Sequence, residues 1–88
     1  MRVTVSEGAR QELRALRRWD AARVVAAIER ELSTEPTTAT KNKKQLSGSD
    51  AVWELRVGDF RVFYDVTGPV VTILAVRRKG RKTTGEIR

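Results

Sequence analysis

Cysteine and histidine are both missing from this 88-residue chain, and each absence removes a class of chemistry. Without Cys there is no disulfide framework, no zinc ribbon and no thiol nucleophile. Without His the commonest general base and the commonest metal ligand are gone, so no metal site is expected. No apolar run approaches the ~20 residues of a membrane span, and no signal-peptide core follows Met1. The expectation is a soluble, cytoplasmic protein. Acidic residues are in short supply, with 11 Asp and Glu against 18 Lys and Arg and a formal net charge of +7. Such an excess favours a polyanionic partner: nucleic acid, an anionic membrane surface or an acidic protein. A hydrophobic content of 40% is enough for a packed core and too high for a disordered chain. The length suits one small domain over residues 1–88.

The charge is unevenly placed. Residues 1–35 are close to neutral, their arginines nearly matched by Glu and Asp. The excess gathers in Lys41, Lys43 and Lys44, and again in Arg77-Arg78-Lys79-Gly80-Arg81-Lys82. A basic run near a chain end also describes a solvated tail, so the run counts for function only if the fold brings it beside other cations.

Val3 and Val5 flank Thr4 with the period of a short strand. Ser6 is a good helix N-cap, and Glu7 and Glu12 suit the positive end of the helix that follows. Ala9, Leu13, Leu16 and Trp19 recur at helical spacing, which predicts an amphipathic helix over 7–18. Asp20 is positioned to cap a second helix carrying Val24, Val25, Ile28 and Leu32. It should stop near Ser33, because Pro36 drives Glu35 out of the helical region. Residues 35–50 read as a loop anchored by Leu46, with room for a short strand. From Val52 the period becomes two, giving strands over 52–57, 60–66 and 70–76 joined at Gly58-Asp59 and Thr67-Gly68-Pro69. Helices grouped ahead of strands make an α+β fold: an N-terminal strand, a helical hairpin and an antiparallel meander with the helices on one face.

A two-residue turn at Gly58-Asp59 sets the register of the first hairpin. Leu55, Val57, Phe60 and Val62 then share the core face, and Tyr64 and Trp53 join them by alternation. Arg56 and Arg61 face one another on the opposite side, where like charges destabilise a sheet. Glu54 or Asp65 is available to neutralise them. If the second loop has three residues, Val66 pairs with Val70, Arg61 opposes Ala75, and Arg77 lies diagonally across. Arg56, Arg61 and Arg77 then converge on an electropositive face suited to phosphate.

On these residues the chain resembles the RelE/ParE superfamily of bacterial type II toxins. The resemblance rests on Leu46-Ser47-Gly48, on the run from Trp53 to Val66 with its Leu-Arg-Val-Gly-Asp-Phe-Arg-Val centre, and on Ile73-Leu74-Ala75-Val76 ahead of a basic segment. It implies the RelE-like α+β fold and a cognate antitoxin as partner, expected to be an acidic, partly disordered segment that covers the basic face. In the RelE branch it implies a toxin that acts with the ribosome and cuts mRNA without metal or cofactor. In the ParE branch it implies inhibition of DNA gyrase. By resemblance Arg61 is the strand arginine on the scissile phosphate and Arg56 one of two basic positions on the preceding strand. Glu54 stands where the family has a lysine. Lys79 or Arg81 falls at the second phosphate-binding arginine, and Lys41, Lys43, Lys44, Arg77, Arg78 and Lys82 are candidates for binding the rest of the substrate. Many RelE-like nucleases carry a Tyr or His near the C-terminus. Here that position falls at about Gly85, and the family's C-terminal helix is cut short or missing.

Cleavage through the RNA 2′-OH requires a proton acceptor, stabilisation of phosphorane-like charge and a proton for the leaving oxygen. Arginines supply the second, and one pre-organised donor is worth ~3 kcal/mol. Alignment on the ribosome supplies a further share through effective molarity. Glu54 is the candidate base, or else a charge partner of Arg56, and Glu86 is a remote alternative. Three readings follow for the chain: a ribosome-dependent mRNA endonuclease, a gyrase inhibitor of the ParE kind, and a nucleic-acid-binding module without toxic activity.

Overall fold

The computed structural model describes residues 2–46 and 52–79. The first strand, β1 (Arg2–Val5), leads into α1 (Glu7–Arg14) and α2 (Arg18–Leu32), followed by β2 (Lys43–Gln45), β3 (Val52–Val57), β4 (Phe60–Thr67) and β5 (Val70–Arg78). The five strands form one sheet in the order β1-β5-β4-β3-β2. β1 runs parallel to β5 and the remaining pairs are antiparallel. The α+β class and the meander are as expected. No helix among the described residues is long and apolar enough to cross a membrane.

Ser6 caps α1 as its chemistry dictates, with Oγ accepting the Ala9 N–H at 3.1 Å. The helix is shorter than its apolar period predicts and ends at Arg14. Its last turn tightens: the Ala15 N–H is shared between the Gln11 and Glu12 carbonyls, and the Leu16 N–H reaches only to Leu13. Arg17 is extended, and α2 starts at Arg18 with no side-chain cap. Asp20 therefore sits inside the first turn of α2, where a carboxylate meets the positive end of the helix, and does not cap it. Trp19 departs from the apolar stripe and is 74% exposed.

The core lies between the helices and one face of the sheet. Leu55, Phe60, Val62, Tyr64, Val71 and Ile73 are fully or almost fully buried there, with Val24, Ile28 and Leu32 of α2 against them. The Trp53 ring stacks near Tyr64 with centroids 6.5 Å apart. Two buried polar contacts fasten the connection after α2. The Tyr64 hydroxyl donates to the Pro36 carbonyl at 2.6 Å. The Lys43 ammonium donates to the carbonyls of Glu31 at 3.1 Å and Glu35 at 2.8 Å. A cation on the last carbonyls of a helix satisfies acceptors that have no partner within the helix.

The first hairpin has the expected register: Val57 pairs with Phe60, Arg56 with Arg61 and Leu55 with Val62. The second hairpin differs in two ways. Its turn is Gly68-Pro69, so Thr67 pairs with Val70 and Val66 with Val71, one residue tighter than a three-residue loop. Gly68 supplies the positive φ this turn needs. The register then slips again between Phe63 and Tyr64, which face Ala75 and Ile73 and leave Leu74 as an extra residue on β5. The two shifts add, and Arg61 faces Arg77 directly in place of Ala75.

Candidate functional site

Three arginines stand side by side across the open face of the sheet: Arg56 on β3, Arg61 on β4 and Arg77 on β5. Directly opposed residues of an antiparallel pair have Cα atoms about 5 Å apart, so this is a compact row of cations. The bulge at Leu74 completes it. Ile73 and Val76 both point into the core although three positions separate them, which shifts the alternation. Arg77 is thereby turned to the face of Arg61, and Arg78 to the helix side.

The three side chains are held differently. Arg61 is half-buried and folds back onto the hairpin turn, with Nη1 donating to the Gly58 carbonyl at 3.0 Å and the Phe60 carbonyl at 2.9 Å. These bonds fix its direction without cancelling its charge. Arg56 is exposed, and among the described residues neither Arg56 nor Arg61 has a carboxylate partner. Arg77 is committed to Glu12 of α1, with Nε donating to Oε2 at 2.7 Å. The other carboxylate oxygen accepts the Val76 N–H at 2.7 Å. β1 pairs with β5 only as far as Ile73, so Glu12 covers a strand edge that β1 leaves open. Partial desolvation raises the Glu12 pKa, but the Val76 N–H and the Arg77 guanidinium outweigh it and hold the carboxyl below its ordinary value.

The remaining candidates divide sharply. Arg78 faces the helices, its guanidinium 4.6 Å from the Phe60 ring centroid and 3.9 Å from Asp20, so it is separated from the arginine row. Lys79 is exposed just beyond β5, tied by its backbone N–H to the Asp59 carbonyl beside the first turn. Lys41 is exposed in the loop before β2. Lys44 is exposed but pairs with Glu54 at 3.8 Å. The pairing corrects the expected Glu54–Arg56 contact, because β2 brings Lys44 directly opposite Glu54. Lys43 is a second correction. At 4% exposure, with its ammonium on the end of α2, it cannot reach a substrate in this fold. Arg81, Lys82 and the residues near Gly85 lie outside the described residues.

Tyr64 has no access to the arginine face. Burial, and to a smaller extent the charge of Glu31, push its hydroxyl well above the usual tyrosine range, and its proton is committed to Pro36. The arrangement therefore supplies directed positive charge for a phosphate, while the candidate base Glu54 is paired with Lys44. Sequence reasoning places Glu12 only as a charge suited to the start of a helix and misses its hold on Val76 and Arg77. Its position in the last turn of α1, where a carboxylate meets the negative end of the helix, is the signal that could have found it.

Comparison with known proteins agrees with this architecture. The family model described as the ParE toxin of the type II toxin–antitoxin system parDE matches residues 3–83. No characterised protein sequence matches significantly. Among solved structures, the chain is similar to the toxin–antitoxin complex RelBE2 of Mycobacterium tuberculosis, with 26% identity and a TM-score of 0.70 over 88% of this chain and 95% of the other. It shares its fold with the archaeal RelE–RelB complex of Pyrococcus horikoshii, at 24% identity and a TM-score of 0.67 over 91% and 96% of the two chains. The isolated RelE toxin of E. coli has the same fold at 19% identity and a TM-score of 0.66, covering 93% and 87%. Matched over residues 3–83 of its 88, this chain belongs to the ParE toxin family of type II toxin–antitoxin systems, within the wider RelE/ParE superfamily.

Proposed function

We propose that the chain is the toxin of a type II pair that cuts mRNA on the ribosome, with the arginine row as its phosphate site. The observation that carries this reading is the direct opposition of Arg56 and Arg61 on an open face with no carboxylate between them. Folding alone disfavours that pair, and an anion bound between the two guanidinium groups relieves it.

In this role Arg61 donates to a non-bridging oxygen of the scissile phosphate, since its side chain is already aimed by the Gly58 and Phe60 carbonyls. Arg56 and Lys79 add charge on either side. The 2′-oxygen attacks the adjacent phosphorus, the bond to the 5′-oxygen breaks, and a 2′,3′-cyclic phosphate forms. The attacking oxygen loses a proton and the leaving oxygen gains one. The chain stabilises the charge that develops between these events, and the ribosome aligns the strand. Glu54 stays a charge partner of Lys44 unless substrate displaces that lysine.

A second reading, a gyrase inhibitor, has two observations in its favour: the ParE name of the family model and the Tyr64 proton locked onto Pro36. It makes the arginine row a contact surface and not a site of cleavage. In either case an antitoxin is expected as partner, since several of the similar structures are complexes of a toxin with its antitoxin, and charge complementarity favours an acidic segment over the row. Toeprinting on translating ribosomes separates the two. Cuts that appear with the wild-type chain and vanish with Arg61→Ala support the endonuclease. Cuts that persist in that variant remove the proposed site, and inhibited DNA supercoiling without RNA cleavage establishes the gyrase reading.

A further inference from the structure

On the other side of β3 lies a cavity of about 330 Å³, between α2 and the strand edge that β2 leaves uncovered. β2 begins at Lys43, opposite Leu55, and a further contact along that edge is the Arg56 N–H to the Asn42 carbonyl at 2.8 Å. Arg23 and Arg30 reach into the cavity from α2, and Arg56 borders it from β3. Seven residues separate the first two, two turns or about 10.5 Å along the helix, and the short side chains of Ala26 and Ala27 leave the space between them open. Arg23 is held in place from two sides. Its Nη2 lies 2.8 Å from where a Cβ on Gly58 would stand, and its guanidinium is 5.9 Å from the Phe60 ring centroid. Arg30 contacts Glu31 through Nε, at 3.3 Å. Two guanidinium groups, with Arg56 at the border, thus stand with one carboxylate around a space at the lower end of the ~300–1,000 Å³ usual for ligand sites.

We propose that this cavity is a second phosphate subsite, holding a flanking phosphate of the same single-stranded nucleic acid that lies on the arginine row. The inference rests on the nucleic-acid reading of that row. Arg56 borders both places, so a strand leaving Arg61 crosses the β3 edge at Arg56 and meets Arg23 and Arg30 next. A continuous polyanion satisfies both sites at once, whereas an isolated carboxylate fills only one.

The test uses a short, labelled, 2′-O-methyl single-stranded RNA, which binds but cannot be cut through its 2′-oxygen. Fluorescence anisotropy over a series of salt concentrations gives the affinity and its salt slope. Arg30→Gln is the primary variant because its side chain is exposed. Arg23→Gln/Arg30→Gln is the second, with a thermal melt to show that it is folded. A lost phosphate contact lowers the slope by about 0.7 for single strands, so the double variant should fall by about 0.7–1.4 and bind roughly tenfold more weakly at moderate salt. An unchanged slope in the folded variants, or no RNA binding by the wild-type chain, overturns the proposal. Inorganic phosphate and an acidic peptide serve as competitors in parallel. If either displaces the RNA as well as unlabelled RNA does, the cavity is a free-phosphate or peptide site and the proposal fails. Because the probe is not cut, a toxin that proves inactive on ribosomes still reports on the cavity, and the two conclusions fail separately.

Discussion

Replacing Arg56 by Thr should make the protein more stable while it weakens the proposed phosphate site. Arg56 has no carboxylate partner among the described residues and directly opposes Arg61. Its removal therefore sacrifices no ion pair and deletes a like-charge contact. Cross-strand pairs of this kind are worth roughly 0.2–1 kcal/mol. Threonine adds a small gain as a strand former on an open face. Arg61 keeps its bonds to the Gly58 and Phe60 carbonyls, so the relief is not matched by a new unsatisfied group. For a domain of this size about 1 kcal/mol moves Tm by about 4–8 °C, so a rise of roughly 2–6 °C is expected at low salt. Screening supplies the internal control: the Debye length falls from about 30 Å at about 0.01 M to about 3 Å at about 1 M salt. Thermal melts at the two salt concentrations should show the gain at the lower and little of it at the higher. A Tm at low salt equal to or below that of the wild type would refute the claim that the row is destabilised by its own charge, and with it the main reason for assigning the row a function.

Lys43→Met should lose about 2–3 kcal/mol in a denaturant titration, because the Glu31 carbonyl in the last turn of α2 and the Glu35 carbonyl just beyond it lose a charged donor. Cleavage per folded molecule should not change, in contrast to a lysine that binds substrate. Glu12→Gln should cost about 1–2 kcal/mol at neutral pH, a figure moderated by the exposure of Arg77. The folded-state pKa of Glu12 is depressed, so its contribution is present above the ordinary value of 4.5 and is lost as pH falls below it. Melts of the two proteins should converge in acid. Tyr64 is the only tyrosine, so its ultraviolet titration is unambiguous. The phenolate band should be missing at the ordinary value of 10 and appear only when the protein unfolds in alkali. Tyr64→Phe should cost about 1–2 kcal/mol through loss of the bond to Pro36.

Much of this molecule is local chemistry and was legible without coordinates. Ser6 as a cap, Pro36 as the limit of α2, Gly58-Asp59 as a tight turn and the alternation from Trp53 to Val62 each depend on neighbouring residues. Together they set the α+β class and the opposition of Arg56 to Arg61. What was not legible depends on contacts between distant parts. The register of β4 against β5 combines a tighter turn at Gly68-Pro69 with an extra residue at Leu74, and no period in the sequence marks that residue. Lys43 looks like its neighbours Lys41 and Lys44, yet it alone lies beneath the end of α2, where the unpaired carbonyls are. Arg77 and Glu12 are 65 positions apart and meet only because β1 stops short of the end of β5. The sequence thus brought Arg77 toward Arg56 and Arg61, but only diagonally. The packing of β5 set it directly opposite Arg61 and decided which neighbouring cations hold the fold, because electrostatic partnership depends on distance in space and not on spacing along the chain.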